Sequence, residues 1–443
     1  MRKKLRRVDI LALALGSIIG WGSFTLPGTK FLRESGILDT ALGLILGGIA
    51  VVFIQKGYHI MMERHAEDGG EFSYTYENMG KKHGFIVGWS LTLCYLSMVP
   101  LNATAFVLVL KRIFGEKVDF IYLYEVAGYP VYLSEILIAT AILLVFAYIN
   151  IKGLKVSSRV QNTMILLMVV NILVLFGYMY FTTDQTLIRE TYLSGYKVTW
   201  SQVAKVVAII PFLFVGFDVI PQVASELNFE PRKATGMAVV AIFSGVLFYN
   251  LLNILTGMVY TPEEALSQTW ALGSAVLGNM GTWGFVLLII SLAGAVAGGI
   301  NGFMLGGSKL IGSLSKYRLI PERYSRENEN GVFSVGIGFI TLVSFLAPWL
   351  GREVIIYIVD MSSFLAAITY FYVCWISMKK VKGISRFITG IGALVSLVFI
   401  GLLVIPGSPG QLSGPSMVML LLWTVLGVFY YWRNASRSAG DRL

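Results

Sequence analysis

Charge is scarce in this chain. Asp, Glu, Lys and Arg supply only 14% of its 443 residues, where a soluble globular domain uses about 25%. That leaves too few charged side chains to cover a water-facing surface. A soluble enzyme, a disordered chain and a coiled coil are therefore excluded. Cysteine is scarcer still, limited to Cys94 and Cys374, both inside apolar stretches. Two cysteines make no disulfide framework, and each reads as a small buried residue. The sequence has no Gly-x-x-x-x-Gly-Lys-Ser/Thr phosphate loop and no Gly-x-Ser-x-Gly nucleophile elbow. No Ala-x-Ala-like cleavage site follows the basic start MRKKLRRVD. The first apolar segment is thus expected to be retained as a span, not removed as a signal peptide.

Hydrophobic residues make up 56% of the chain, and the mean hydropathy is +0.72. A spanning helix needs about 20 apolar residues. Runs of that length fall at 9–32, 37–60, 84–110, 131–150, 160–181, 201–225, 234–260, 283–308, 332–350, 354–377, 384–405 and 415–432. The expectation is an all-α integral membrane protein of twelve spans in one domain, residues 1–443. An outer-membrane barrel is disfavoured, because alternating strands give a much weaker signal. Counted by connection, 26 of the 35 Lys and Arg residues flank one face and nine the other. The positive-inside rule then puts both termini in the cytoplasm, with the chain in the cytoplasmic (inner) membrane. The same distribution explains the net charge of +10 without a nucleic-acid partner.

Two spans contain residues that an uninterrupted helix avoids. Span 1 reads LALGSIIGWGSFTLPG, with Gly16, Gly20 and Gly22 mid-span and Pro27 after them. Span 6 reads AIIPFLFVGFDVIPQ, with Pro211 and Pro221 flanking Gly216. A proline frees the carbonyl four residues back, which points to the carbonyls of Ser23 and Phe217. Unwound backbone survives in a membrane only where it is buried in protein or lines a cavity. Broken helices at corresponding positions of two halves mark a transporter site. A five-span repeat has an odd count, so its second copy is inverted and spans 1 and 6 meet at the midplane. N–H groups there face anions and freed carbonyls face cations, an arrangement suited to a zwitterion. The structural alternative is that the glycines only let helices approach closely.

These residues resemble the amino acid–polyamine–organocation transporter superfamily. Gly16-Ser-Ile-Ile-Gly-Trp-Gly22 is similar to its span-1 substrate motif. Phe212-Leu-Phe-Val-Gly-Phe-Asp218, with Ser225-Glu-Leu-Asn-Phe-Glu-Pro-Arg232 after it, is similar to its span-6 motif and following loop. Gly69-Gly-Glu-Phe-Ser-Tyr-Thr-Tyr76 resembles its Gly-Gly-x-Tyr-x-Tyr loop. Ser308-Lys-Leu and Leu319-Ile-Pro321 resemble its loop after span 8. The resemblance covers roughly residues 8–380. It implies the five-plus-five inverted repeat (LeuT-like) with discontinuous helices 1 and 6. Repeat one would cover about 9–181, repeat two about 201–377, and two extra helices about 384–432. Two departures bear on energy coupling. Proton-coupled members often carry a span-5 lysine seven residues after a Gln-Asn pair; Gln161-Asn162 is followed there by Met168. Sodium-coupled members of the fold use adjacent span-8 hydroxyls, where this chain offers Ser291 alone. Exchange or facilitated passage is the expectation that remains.

The candidate substrate contacts follow from the breaks. N–H groups near Gly20, Trp21 and Gly22 would meet a carboxylate. Carbonyls near Ser17, Ile18, Phe214 and Phe217 would meet an ammonium. Gly216 supplies the span-6 break. Asp218 lies mid-membrane, where an ionisable group defaults to function; it would attract an amine, titrate, or cap a half-helix. Asp360, in span 10, would do the same or bond Ser362 or Ser363. Asn102, Ser291 and the aromatic Phe212 complete the set, with Phe217 the best gate. His59, Glu63 and His65 read as a solvated span end rather than a metal site. No cofactor is expected. The function implied is a secondary transporter or exchanger for an amino acid or related small amine. The alternatives are a polyamine or amino-alcohol transporter of the same fold, or a channel, which is disfavoured because no ring of repeated polar residues suggests a filter.

Overall fold

The computed structural model describes residues 4–440. Arg2, Lys3 and Arg442 of the charge count lie outside the described residues. Nearly every described segment is helical. The chain opens with α1 (Arg7–Ile18) and α2 (Gly22–Leu26), followed by α3 (Leu38–Arg64), α4 (Gly70–Met79) and α5 (Lys81–Phe114). Next come α6 (Leu133–Ile151), α7 (Leu154–Thr182), α8 (Trp200–Ala208), α9 (Ile210–Phe214) and α10 (Val219–Gln222). Then follow α11 (Pro231–Gly257), α12 (Ala271–Lys316), α13 (Ser334–Leu346), α14 (Arg352–Lys380), α15 (Gly383–Val404) and α16 (Gly414–Gly440). Among the described residues, nine helices are long and apolar enough to cross a bilayer. Joining Arg7–Ile18 with Gly22–Ser35, which meet at 44°, makes ten. The runs expected as spans 6 and 9 are helical but interrupted or short, at residues 200–222 and Ser334–Leu350.

One element departs from an all-helical chain. Strands β1 (Tyr122–Val126) and β2 (Tyr129–Tyr132) pair antiparallel. Ala127 and Gly128 join them with φ of 51° and 78°, a turn whose twist matches the strands. Hydropathy counting overlooks a hairpin this short.

The breaks also fall at other residues than the proline rule expects. α1 stops at Ile18 and helix resumes at Gly22. Pro27, instead of breaking the span, opens a wider π turn over Pro27–Phe31, one way a helix accommodates a missing N–H. In the second break Pro211 sits near the start of α9 and Pro221 within α10, both in first turns where the absent N–H costs little. The Phe217 carbonyl is not free: it accepts from Ile220 N at 3.3 Å. The break itself is at Gly216, whose φ of 131° lies in territory that favours glycine.

Small residues on α12 set where α1 ends. The Gly298 and Gly16 backbones approach so closely that a Cβ on Gly298 would lie 3.0 Å from Gly16 Cα. Ser17 fills the place of a side chain on Gly302, and Asn102 that of one on Gly299. The glycine-rich stretch is thus a packing seam, and it presses α1 and α5 against α12 beside the first break.

Candidate functional site

The two breaks meet. A Cβ on Gly216 would lie 2.6 Å from the Ser17 carbonyl carbon and 2.9 Å from Ile18 N, so only glycine allows this contact. Ile18 O accepts from Tyr249 Oη at 3.3 Å, and Ser17 Oγ donates to Leu13 O at 2.9 Å. Gly20 O accepts from Ser23 N and Ser23 Oγ at 3.2 and 2.8 Å. The N–H groups of Gly20, Trp21 and Gly22 donate to no acceptor among the described residues, and the carbonyls of Ser17 and Phe214 accept from none. Unpaired backbone groups in hydrocarbon cost several kcal/mol, so an arrangement that leaves three donors and two acceptors free beside one another is built for a polar ligand.

Beside the first break lies a cavity of about 260 Å³. Its wall brings together three sequence candidates, Trp21, Phe212 and Asp360, with Leu101, Ser363 and Lys30. Gly22 faces the same ring, a Cβ there lying 3.8 Å from Phe212 Cε1. Asp360 does not bond Ser362 or Ser363. Ser362 Oγ donates to Ile358 O at 2.8 Å, and Ser363 Oγ to Val359 O at 3.4 Å. The Asp360 carboxylate has no hydrogen bond or ion pair among the described residues. Asn102 Nδ2 donates to Met98 O at 2.9 Å, while its buried Oδ1 has no partner and lies 3.4 Å from where a Gly20 Cβ would be.

Other candidates sit apart from the cavity. Asp218 is wholly buried and fastens the second break without capping α10: Oδ1 accepts from Gly216 N at 2.6 Å and Oδ2 from Tyr95 Oη at 2.9 Å. Phe217 is boxed by Tyr58 and Tyr370, with ring centroids 5.2 and 5.3 Å away. Phe214 packs near Tyr249. Ser291 spends its hydroxyl on Leu287 O of its own helix at 2.9 Å. His59 Nδ1 is 2.8 Å from Thr235 Oγ1, and His65 pairs with Asn78.

Sequence reasoning missed Arg352. It had read as a loop residue in LGRE, yet it is buried, with its guanidinium 4.4 Å above the Trp21 ring and Nη1 donating to Thr104 Oγ1 at 2.8 Å. It also missed the closure at the opposite face. Lys309 is buried between Asp68, at 3.0 Å, and Glu226. Leu5 N donates to Glu226 O at 2.7 Å, and Asn228 N to Leu5 O at 3.0 Å, so the N-terminal segment is stitched across. Between Leu5, Asp9, Gln161 and Asn301 lies a pocket of about 10 Å³.

Two broken helices crossing at a glycine beside a mostly apolar cavity that Asp360 and Lys30 enter give the architecture, and sequence comparison gives its lineage. The amino acid permease family model matches residues 5–429, nearly the whole chain. The chain belongs to the amino acid permease family. Among curated relatives, a putative arginine/ornithine antiporter of Escherichia coli is 22% identical, over 89% of this chain and 86% of its own. An arginine/ornithine antiporter of Pseudomonas aeruginosa is 24% identical over 74% of this chain and 67% of its own. A branched-chain amino acid permease of Bacillus subtilis is 21% identical over 74% and 70%. In this permease, then, the unpaired groups at the two breaks stand in a multi-span membrane protein of a transport family.

Proposed function

We propose that this permease carries an amino acid across the membrane by alternating access around the two breaks. The observation that carries the reading is the contact of Gly216 with Ser17 and Ile18, next to unpaired N–H groups at Gly20, Trp21 and Gly22. A carboxylate satisfies those donors, and an ammonium satisfies the carbonyls of Ser17 and Phe214. Charge-assisted bonds of this kind are the strong ones. Names of the relatives support an amino acid as cargo and exchange as one mode. No part of this reading requires catalysis.

The interrupted run 200–222 and Ser334–Leu350 count as spans 6 and 9 in this reading, which makes twelve with both termini cytoplasmic and one domain of two inverted five-span repeats. The sidedness makes the Lys309 closure a cytoplasmic one and the 260 Å³ cavity an outward vestibule. Asp360 supports a second, narrower reading. A carboxylate without a partner in the vestibule wall favours a substrate with an extra positive charge, such as a basic amino acid or a polyamine. A competition panel in proteoliposomes tests both. Neutral amino acids, basic amino acids and amines without a carboxylate would compete with a radiolabelled amino acid. Competition by amino acids is the expected result. Competition by decarboxylated amines alone would overturn the carboxylate site, and uptake that never saturates would point to a channel.

A further inference from the structure

The cytoplasmic half holds a buried acid pair that substrate binding does not use. Glu71, in α4, is wholly buried. Its Oε1 accepts from Tyr58 Oη at 2.8 Å, and its Oε2 lies 2.6 Å from Gln222 Nε2. Gln222 stands one turn beyond Asp218, which holds Gly216 N at the second break. Neither carboxylate has a cation partner. Every element packed on Glu71 can be named. α3 presents Tyr58, α10 with the break presents Gln222 and Asp218, α5 presents Cys94 and Tyr95, and α14 presents Tyr370. Its own helix adds Tyr74, with His65 stacked behind at 5.9 Å. α12 offers Lys309, which is spent on Asp68 and Glu226.

Two carboxylates buried together without a cation are not both ionised, because each charge loses its hydration and repels the other. Burial pushes the Glu71 carboxyl well above the usual carboxylate range, and the Asp218 charge pushes it the same way. A second observation is geometric. The donors that reach Glu71 are neutral, Tyr58 Oη at 2.8 Å and Gln222 Nε2 at 2.6 Å, and Gln222 Oε1 beside them is a buried acceptor without a partner. Asp218 has its own donors in Gly216 N–H and Tyr95 Oη.

We propose that Glu71 is a proton-binding site whose proton is moved with the substrate, one per cycle. This rests on the reading of the chain as an amino acid transporter. The proton is taken from one aqueous phase and released to the other, and the carboxyl returns to its starting form. Its leverage on the cycle is geometric. Glu71 holds Gln222, Gln222 ends α10, and α10 begins just after Asp218, which fastens the break that meets Ser17. The span-5 lysine position is filled by Met168, so this pair takes over a task that a lysine does not perform here.

Two measurements test this separately. Infrared spectra of the purified permease at pH 7 should show a carboxylic-acid carbonyl band that Glu71→Gln removes. Tyr58→Phe, which deletes a donor to the carboxylate, should carry that band to higher pH. Absence of the band from the wild type would overturn the proton site, whatever the protein transports. In proteoliposomes, an inward proton gradient of one pH unit should drive up to about tenfold accumulation of amino acid, since a pH unit is worth about 1.4 kcal/mol. Glu71→Gln should keep equal-pH exchange and lose the accumulation. Wild-type transport indifferent to the gradient, or Glu71→Gln still responding to it, would overturn the coupling. Failure of the wild type to exchange any amino acid would instead overturn the transport reading, while the infrared result still decides the proton site.

Discussion

The crossing of the two breaks makes a pair of glycine substitutions separable. Gly216→Ala places a methyl 2.6 Å from the Ser17 carbonyl carbon and 2.9 Å from Ile18 N, both backbone atoms that cannot swing aside. The residue must also hold a φ of 131°. Such strain costs about 1–3 kcal/mol, and overpacking adds about 1–3 kcal/mol. A loss of about 2–6 kcal/mol should show as a lower thermal midpoint and poorer yield. Gly20→Ala is different. Its methyl meets only Asn102 Oδ1, at 3.4 Å, and the backbone there needs no positive φ. Stability should stay near that of the wild type. The methyl nevertheless enters the space where N–H groups of residues 20–22 converge, and each lost bond to a charged group is worth about 1.5–3 kcal/mol. Affinity should fall about ten- to a hundredfold, read by scintillation proximity binding on protein matched for melting. A Gly216→Ala protein that melts like the wild type would refute the packed crossing. A Gly20→Ala protein that binds normally would refute the carboxylate site at the first break.

Further expectations address the vestibule, the ions and the two faces. Asp360→Asn should weaken competition by basic amino acids more than by neutral ones in the same panel, since the carboxylate makes no hydrogen bond or ion pair and only feels Lys30 across the cavity. Uptake should be unchanged when choline replaces sodium, because Ser291 bonds its own helix; a fall of tenfold or more, about 1.4 kcal/mol of coupling, would reject this. Lys309→Met strands two carboxylates, and breaking a buried pair costs about 3–5 kcal/mol. A cysteine placed at Leu5 should then label faster from the cytoplasmic side. Cysteines introduced at Arg2 and Gly440 should resist impermeant reagents in intact cells, where labelling from outside would sink the assigned topology.

Hydropathy and local backbone chemistry were legible in the sequence; distant side-chain partnerships were not. Every apolar run of the expected twelve is helical, because bilayer-length apolarity and helix propensity act on neighbouring residues. The breaks were legible from Gly20 and Gly216, but the prolines misplaced them by several residues. A proline excludes one hydrogen bond, and first turns and a π turn absorb that loss, whereas the close approach at Gly216 has no substitute. Asp218 read as a substrate partner, a titrating group or a cap, and sequence alone had no means to choose. Its carboxylate bonds Gly216 N, which is local, and Tyr95 Oη, which comes from another helix, and makes no bond to the N–H groups of α10, so it fastens the break without capping the half-helix.

The Gly69–Tyr76 motif shows where such reading stops. It looked like a polar loop, and it folds as a helix from Gly70, entered through positive φ at Gly69 and Gly70. Loop-like composition hid a helix that is buried on one face because, besides the adjoining α5, its neighbours α10 and α14 come from distant stretches of chain. Glu71 was one of five acids between Glu63 and His83, with nothing in that stretch to set it apart. Its meaning comes from what surrounds it: Tyr58, Gln222 and Asp218, and no cation. A charge in a water-exposed loop is a solubility device; the same charge wholly buried beside another carboxylate has to bind a proton or find a cation. The fold withholds the cation, since Lys309 is engaged by Asp68 and Glu226. The proton is what remains, and the carboxyl that takes it holds Gln222, one helical turn from Asp218 at the break on which the transport reading depends.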